Sequence, residues 1–331
     1  MRAAFAMHGG LFGELFPDDV RERLAGLVDA PDAVLPHLGG TLADVDVLIT
    51  GWGCPRIDVA VLERAPRLRA IAHAAGSVKE HVTAEVFERG IIVSSAAAAN
   101  AVPVADYTMS MLVLAAKSVP RRIRGYAAGG WPDGPRPGGV PTPGERAGLG
   151  AATVGVIGAS RVGRLVIERL RGYGVTPLLS DPFVDARRAR ELGCEPVGLD
   201  DLCRRADLVT VHAPALPETY QLLDGRRLGL LPDGATLVNT ARGTLVDTEA
   251  LTGECVSGRL NAILDVTDPE PLPAGHPLLS APGVWVTPHV SGARGGELRA
   301  LGEYAVGEVE RFVTGRPLHG QVRLTDLPRI A

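Results

Sequence analysis

A strand-to-helix junction built from small residues is the first feature of the sequence that could do chemistry. In the stretch TVGVIGASRVGRLVIERL, the hydrophobic pattern predicts a strand that ends near Gly158 and a helix that begins near Arg161. Backbone N–H groups and the positive end of the helix dipole together bind phosphate at such a junction. Gly158 and Gly163 occupy the first and third glycine positions of the dinucleotide fingerprint G-x-G-x-x-G, and Ser160 replaces the middle glycine. The segment predicts a pyrophosphate site, in which Ser160 offers a hydroxyl but weakens the expectation of tight binding.

An acidic residue stands where a dinucleotide site needs one. Asp181 follows the next predicted strand, in LLSDPF, 23 residues after Gly158. An acid about 20 residues after the fingerprint hydrogen-bonds the adenosine ribose hydroxyls, and its charge repels a 2′-phosphate. The spacing therefore favours NAD over NADP. The alternative is that Asp181 only starts a turn before Pro182.

Three further segments follow in the second half of the chain, and each carries a residue type with a catalytic use. They are NTARGTLVD (Asn239–Asp247), LDVTDPEPLP (Leu264–Pro273) and TPHVSG (Thr287–Gly292). Together with GASRVG, HAP (His212–Pro214) and NAVPVADYTM (Asn100–Met109), they resemble the NAD-dependent D-isomer-specific 2-hydroxyacid dehydrogenase family over nearly the whole chain. The three distant segments keep the family's order and spacing, which makes the resemblance specific.

The resemblance implies an α/β fold with two doubly wound parallel-sheet domains. A Rossmann cofactor domain, residues 104–291, is expected as an insertion in a flavodoxin-like substrate domain made of residues 1–103 and 292–331. The mid-chain position of the dinucleotide fingerprint agrees with this order. The family's two linking helices are expected at Val104–Lys117 and Gly296–Val313.

Arg242 in NTARG is expected to bind the substrate. A planar guanidinium can hold a carboxylate through two hydrogen bonds and polarise the neighbouring carbonyl, and it stays charged. The alternative is a surface arginine at a helix start, where a cation meets the unfavourable end of the helix dipole.

His289 in TPHVSG is expected to exchange a proton with the C2 oxygen of the substrate, because imidazole titrates near neutral pH. Glu270 lies five residues after Asp265 and matches the family's acid partner of this histidine. A neighbouring carboxylate favours the protonated imidazole. The related formate dehydrogenase branch carries glutamine at this position, so Glu270 favours hydroxyacid chemistry. The alternative is that Glu270 only caps its loop.

Several loops are expected to bind NAD. By resemblance, Asp265 accepts a hydrogen bond from the nicotinamide carboxamide, and Thr240 and Ala241 line the ring through backbone groups. Asp265 also ends the apolar segment NAILDV, and residues at the carboxyl ends of parallel strands face the cofactor crevice. The expected cofactor-binding set is Gly158, Ser160, Arg161, Val162, Gly163, Asp181, His212, Ala213, Pro214, Thr219, Thr240, Ala241, Asp265 and Gly292.

The segment AHAAGSVKEHV resembles the family loop whose backbone N–H groups meet the substrate carboxylate. It departs from the usual GxGxD pattern, because Lys79 stands at the aspartate position. Branches that take phosphorylated acids tend to have an arginine near the position of Trp52, so the indole favours an unphosphorylated acid. His73, which ends the preceding strand, is a further candidate for the cleft. The expected substrate-binding residues are Ala75, Gly76, Ser77, Asn100 and Trp52.

Composition bounds the function classes. The 331 residues carry a net charge of −4, so there is no basic footprint for nucleic acid or an anionic membrane. The four cysteines form no C-x-x-C pair, which predicts reduced thiols in a cytoplasmic protein and no metal site. Neither a signal-peptide pattern nor an apolar run of 18 residues is present. The resemblance adds a homodimer formed through the cofactor domain, with a small 2-hydroxy or 2-keto acid as substrate.

Two alternative functions stay open at this point. One is an NAD-sensing, corepressor-like binding protein on the same scaffold. The other is a dehydrogenase of a phosphorylated acid, of the phosphoglycerate type.

The elements that must position these residues follow an α/β pattern, because short apolar runs alternate with segments of helical period. The Gly- and Pro-rich segment 125–150 predicts a loop. The predicted strands are Arg2–Ala6, Val45–Thr50, Arg69–Ala74, Ile91–Ser94, Thr153–Ile157, Val175–Ser180, Leu208–His212, Thr236–Asn239, Asn261–Asp265 and Val284–Thr287.

Overall fold

A computed structural model describes residues 1–35, 37–40, 42–130 and 148–327, which form two compact units. Unit 1 comprises Met1–Pro103 together with the chain from Gly292, and unit 2 comprises Val104–Ser291. Each unit contains its own sheet, in which parallel strands are connected through helices.

The strands and helices of the described residues are numbered in chain order. The strands are β1 (Ala3–Ala6), β2 (Val47–Thr50), β3 (Ala70–His73), β4 (Ile92–Ser95), β5 (Val154–Ile157), β6 (Leu178–Ser180), β7 (Glu195–Pro196), β8 (Leu208–Val211), β9 (Thr236–Asn239), β10 (Asn261–Leu264), β11 (Val284–Val286) and β12 (Gln321–Val322). The helices are α1 (Phe12–Leu15), α2 (Asp18–Ala25), α3 (Val59–Arg64), α4 (Ala84–Glu88), α5 (Ala97–Ala115), α6 (Val119–Ala127), α7 (Arg161–Gly172), α8 (Ala186–Glu191), α9 (Leu199–Arg205), α10 (Gly225–Leu230), α11 (Thr248–Val256) and α12 (Leu298–Val313).

The sheet of unit 1 has the strand order β1-β2-β3-β4-β12. Isolated parallel bridges join Arg2 to Asp29 and Phe5 to Val34. The segment 29–34 therefore lies beside β1, on the side away from β2, which gives the flavodoxin-like order. Strand β12 pairs antiparallel with β4 and so covers the β4 edge of the sheet. The sequence pattern does not predict this strand.

The sheet of unit 2 has the order β11-β10-β9-β8-β5-β6-β7, and all its strand pairs are parallel. This is the Rossmann order with one additional strand, and the order reverses between β5 and β8. Ligands of doubly wound sheets bind at such a switch point, outside the carboxyl ends of the strands.

Alternating strand residues build two cores in each unit. In β8, Leu208 packs into one cluster, and Val209 and Val211 pack into the cluster on the opposite face. A strand covered by helices on both faces has no polar face, which explains why the sequence shows continuous apolar runs. Rossmann and flavodoxin-like sheets, predicted from these runs and the family resemblance, are the folds observed.

The predicted start of the linking helix at Val104 is wrong. Helix α5 begins at Ala97, and Pro103 lies inside it. Proline usually marks the first turn because it lacks an N–H, but one missing hydrogen bond is tolerated within a 19-residue helix whose buried side chains hold it to the core. Within the described residues α5 is also the one helix with the length and hydropathy of a membrane span; Ala105, Met109 and Leu112 belong to the core of unit 2.

Other boundaries differ less. The last helix α12 begins at Leu298, after a short 3-10 turn over Gly295–Glu297, so the prediction of a start at Gly296 merged two elements. The predicted loop 125–150 overlaps the end of α6, and its segment 131–147 lies outside the described residues.

Candidate active site

The dinucleotide fingerprint lies at the switch point of the unit 2 sheet. Gly158 follows β5 with a φ of +92°, and a Cβ there would lie 2.8 Å from the backbone N of Ala213, after β8. A Cβ on Gly163 would lie 2.1 Å from the carbonyl oxygen of Gly158. Both positions require glycine, because side chains would fill the junction between strand and helix. The backbone therefore leaves a close-approach surface in front of α7.

Ser160 caps helix α7. Its φ of −63° and ψ of −177° are ordinary extended values, and its hydroxyl accepts from the N–H of Gly163 at 3.3 Å. Serine therefore fits the middle position of the fingerprint without strain and satisfies one amide of the first turn. Arg161 and Val162 are the first two helical residues, so their N–H groups lie at the positive end of the helix dipole.

Asp181 follows β6 and contacts the same junction. Its Oδ2 accepts from the N–H of Ala159 at 2.7 Å, and its Oδ1 accepts from the N–H of Phe183 at 2.8 Å. The second bond is the turn expected under the alternative interpretation. The first bond ties the carboxylate to the fingerprint loop, so Asp181 forms the turn and also lies beside the predicted pyrophosphate site.

The segment after β8 begins with a buried, neutral histidine. His212 is 4% exposed, and its Nε2 lies 2.9 Å from the hydroxyl of Thr210. Burial lowers the pKa of His212 to about 3, so the imidazole is uncharged at neutral pH. The Thr219 hydroxyl donates to the carbonyl of Pro214 and accepts from the N–H of Leu216. Thr219 therefore shapes its own loop.

Arg242, Glu270 and His289 follow three neighbouring strands of the unit 2 sheet. They lie after β9, β10 and β11, whose carboxyl ends share one edge because the strands are parallel. Next to Arg242, a Cβ on Gly243 would lie 2.0 Å from the backbone of Thr267, so the first two loops touch.

Asn239 shapes the loop that carries Arg242. Its side chain donates to the Arg242 carbonyl at 2.9 Å and accepts from the Ala241 N–H at 3.0 Å. The Ala241 carbonyl also accepts from Nη1 of Arg242 at 2.6 Å. Both backbone polar groups of Ala241 are therefore used within the loop. Arg242 precedes a 3-10 turn and is half-buried.

His289 and Glu270 form a direct pair. The Nδ1 of His289 lies 2.6 Å from Oε1 of Glu270, and the two side chains are 52% and 42% exposed. Because the carboxylate accepts, Nδ1 carries the proton in this contact and Nε2 remains for chemistry. The other oxygen of Glu270 accepts from the N–H of Thr267 at 3.3 Å. Glu270 therefore caps its loop and pairs with the histidine at the same time.

Asp265 fixes the loop that contains His289. The Asp265 side chain is buried, with 1% of the residue exposed. Its Oδ1 accepts from the Val290 N–H at 2.8 Å and from the Thr287 hydroxyl at 2.6 Å. Its Oδ2 accepts from the Ser291 N–H at 2.8 Å. His289 adopts a φ of +52°, and its N–H donates to the carbonyl oxygen of Asp265. A carboxylate has about four acceptor positions. Three are used here, so about one stays available for the predicted carboxamide contact.

Two polar residues of α5 were not anticipated from the sequence. The Tyr107 hydroxyl lies 2.7 Å from that of Thr287, and the Thr108 hydroxyl lies 2.9 Å from that of Thr240. Adjacent residues of one helix thus contact the loops after β11 and β9. The available signal was a Tyr-Thr pair within an otherwise apolar helix.

The predicted substrate residues and Gly292 belong to unit 1. Asn100 accepts from the N–H of Ala293 at 3.0 Å, and a Cβ on either Gly76 or Gly292 would lie 3.3 Å from its side-chain amide. Ala75 is fully buried, whereas Gly76 and Ser77 are partly exposed. Trp52 is half-buried and packs against the core that contains Phe5.

His73 lies at the end of β3, beneath the predicted substrate loop. It is 1% exposed, and its Nδ1 lies 2.8 Å from the Thr50 hydroxyl. Burial lowers the pKa of His73 to about 3, and the neighbouring His81 acts in the same direction. His73 is therefore neutral at physiological pH.

Comparison with known proteins places this geometry in a family. Residues 109–291, which lie in unit 2, match the model of the D-isomer specific 2-hydroxyacid dehydrogenase NAD-binding domain. The chain belongs to the D-isomer specific 2-hydroxyacid dehydrogenase family. NAD is therefore the cofactor, and the glycine-lined junction before α7 fits a dinucleotide because a Cβ at Gly158 or Gly163 would fill it.

Individual relatives within this family differ in name and length. The chain is 31% identical over 290 residues to a D-3-phosphoglycerate dehydrogenase of Methanocaldococcus jannaschii, covering 87% of this chain and 53% of that protein. It is 33% identical over 255 residues to a glyoxylate reductase of Korarchaeum cryptofilum, covering 76% of this chain and 74% of that protein. A crystal structure of a Thermus thermophilus protein matches with a TM-score of 0.72 and 32% identity, covering 97% of this chain and 100% of that one. The chain thus spans about half the length of the phosphoglycerate dehydrogenases that it matches.

Proposed function

We propose that the protein is an NAD-dependent dehydrogenase that interconverts a D-2-hydroxy acid and the corresponding 2-keto acid. The observation that carries this proposal is the His289–Glu270 contact of 2.6 Å, in a unit that matches the family's NAD-binding domain. The two residues follow strands β11 and β10, and Arg242 lies in the loop after the neighbouring strand β9. Formation of a C2 hydroxyl needs a proton donor, and a carboxylate-oriented imidazole is suited to that task.

Each residue has a distinct role in this proposal. Bound NADH supplies a hydride to C2 of the keto acid, and the oxidised cofactor accepts it in the reverse direction. His289 donates the Nε2 proton to the C2 oxygen, while Glu270 at Nδ1 stabilises the protonated imidazole. Arg242 holds the substrate carboxylate and polarises the carbonyl. Asp265 holds the histidine loop in place.

The cofactor would be held by chain groups around the sheet switch point. The N–H groups of Arg161 and Val162 would bind the pyrophosphate, and Asp181 would bind the adenosine ribose. His212 and Ala213 would form the wall beyond Gly158. Neutral His212 suits a surface that packs against a ligand without adding charge.

Substrate binding is assigned to unit 1, through Ala75, Gly76, Ser77 and Asn100. We expect an unphosphorylated acid, because Trp52 places an apolar ring where branches of the family that take phosphorylated acids tend to have an arginine. The phosphorylated alternative keeps some support, since relatives named phosphoglycerate dehydrogenase and glyoxylate reductase are about equally identical to the chain. We also expect a cytoplasmic homodimer assembled through unit 2.

The deciding experiment is NADH oxidation with glyoxylate, hydroxypyruvate, phenylpyruvate and phosphohydroxypyruvate. Rapid turnover of an unphosphorylated acid supports the proposal, and a preference for phosphohydroxypyruvate selects the alternative substrate. His289→Ala should abolish turnover and keep NADH binding near that of the wild type. A wild-type rate in this variant would reject the acid–base assignment. NADH binding without turnover of any 2-keto acid would favour the corepressor-like binding protein.

A further inference from the structure

A chain of hydroxyl groups leads from helix α5 to the loop that carries His289. The phenol of Tyr107 lies 2.7 Å from the hydroxyl of Thr287, which lies 2.6 Å from Oδ1 of Asp265. Tyr107 is half-buried, and Asp265 is almost completely buried. These contacts are partly shielded from water, so their hydrogen bonds exchange with solvent less readily than exposed ones.

The donor and acceptor of each hydrogen bond between Tyr107, Thr287 and Asp265 follow from the chemistry of Asp265. Both oxygens of Asp265 accept backbone N–H groups, from Val290 and Ser291, which identifies the side chain as a carboxylate that only accepts. Thr287 must therefore donate its single proton to Asp265. Its oxygen is left to accept, so Tyr107 is the donor in the first contact. Burial and the charge of Asp265 raise the pKa of Tyr107, which keeps this donor protonated at neutral pH.

The chain ends where the geometry of the histidine is set. Thr287 is two residues before His289. The His289 N–H donates to the backbone carbonyl oxygens of Asp265 and Thr287, and the N–H groups of Val290 and Ser291 donate to the Asp265 carboxylate. His289 has a left-handed backbone conformation, which persists only where surrounding contacts determine it. The carbonyl oxygens of Asp265 and Thr287 hold the His289 N–H, and the Asp265 carboxylate fixes the residues on either side, Thr287 and Val290.

We propose that Tyr107 is a positioning residue for the reaction, which acts through Thr287 and Asp265 to hold His289 in register with Glu270. This inference rests on the proposed function for its catalytic consequence, but its structural content does not depend on the substrate. Thr108, the next residue of α5, contacts Thr240 at 2.9 Å, so the same helical turn braces a second loop of the site.

The test uses Tyr107→Phe, which keeps the ring and removes the donor. Hydrogen exchange of the His289, Val290 and Ser291 amides in the cofactor-free protein should accelerate by about tenfold, as expected for loss of one buried hydrogen bond. The kcat for 2-keto acid reduction should fall by about tenfold, less than the roughly 100-fold cost of a 1 Å misplacement. The Kd for NADH should change less than twofold. Tyr173→Phe, at an exposed tyrosine of the same unit, is the matched control.

A double-mutant cycle separates action through Thr287 from general destabilisation. In a Thr287→Val background the hydrogen bonds that join Tyr107 to Asp265 are already absent, so Tyr107→Phe should add no further change in amide exchange or kcat. Thr287→Ser retains the hydroxyl and should keep the sensitivity to Tyr107→Phe, which guards against a poorly folded valine variant. Equal effects of Tyr107→Phe in all backgrounds, or unchanged amide exchange, would overturn the proposal. If the wild type reduces no 2-keto acid, the proposed function fails, and the exchange data still decide the role of Tyr107.

Discussion

Replacing Glu270 by glutamine tests the core of the proposed chemistry, because it removes one charge and preserves size. The lost contact is the 2.6 Å hydrogen bond to Nδ1 of His289, between side chains that are 52% and 42% exposed. A hydrogen bond to a charged group contributes roughly 1.5–3 kcal/mol, and each 1.4 kcal/mol corresponds to about a tenfold rate change. Partial exposure favours the lower end, so we expect kcat for keto acid reduction to fall by about 10- to 30-fold.

The loss should appear in kcat, since the carboxylate orients the imidazole that donates the proton. Folding stability should change by less than about 1 kcal/mol, because a half-exposed ion pair contributes little. The assay is the decrease in NADH absorbance at saturating keto acid across a pH series, with thermal unfolding in parallel. Glu168→Gln, an exposed acid of the same unit, is the control. A folded Glu270→Gln enzyme with wild-type kcat at every pH would refute the reasoning.

Three further predictions address the fold and the cofactor site. Gly163→Ala should destabilise the protein by about 1–3 kcal/mol and weaken NADH binding, because its Cβ would overlap the Gly158 carbonyl. In the control Gly172→Ala, in the same helix, the new Cβ meets no atom within 4 Å, so this change should be neutral or stabilising by up to about 1 kcal/mol. Urea unfolding compares the free energies of unfolding of the two variants. Asp181→Ala should reduce the preference for NADH over NADPH, and equal kcat/KM for both cofactors in the wild type would contradict the assignment. Burial lowers the pKa of His212 to about 3, so between about pH 6.5 and 3 the unfolded state binds its proton first and the free energy of unfolding should fall by up to about 1.4 kcal/mol per pH unit as pH decreases. His212→Asn should remove this contribution in acid unfolding and leave the similar contribution of buried His73, whereas the exposed His319→Asn should leave the dependence unchanged.

The sequence predicted the parts of the fold that follow from continuous apolar runs and punctuating glycines. Strand β9 was predicted to the residue, because Thr236–Asn239 is a fully buried run between turn signals. Helix α5 was misjudged at Pro103, where tertiary packing outweighs the local preference of proline. Strand β12 has two residues and no pattern of its own, so only its pairing with β4 reveals it.

The candidate site was predictable to a similar and limited degree. Short motifs that resemble the family predicted Glu270 and His289 as a pair, and the structure shows their contact, while their catalytic roles stay predictions. The contacts of Tyr107 and Thr108 could not be read from the chain, since they join residues more than 130 positions apart. Such supporting contacts depend on side-chain directions that periodicity does not specify.

The antiparallel strand β12 has a protective consequence for the whole of unit 1. Without it, β4 would offer an unpaired row of backbone groups to any other chain, as exposed edges of parallel sheets do. The turn into β12 is secured by Glu308, a buried carboxylate that accepts from the N–H groups of His319 and Gly320. A chain cut after α12 would therefore expose the edge of β4 and remove both amide donors of Glu308, which would keep the ion pair with Arg311. Self-association would then compete with folding before any effect on catalysis.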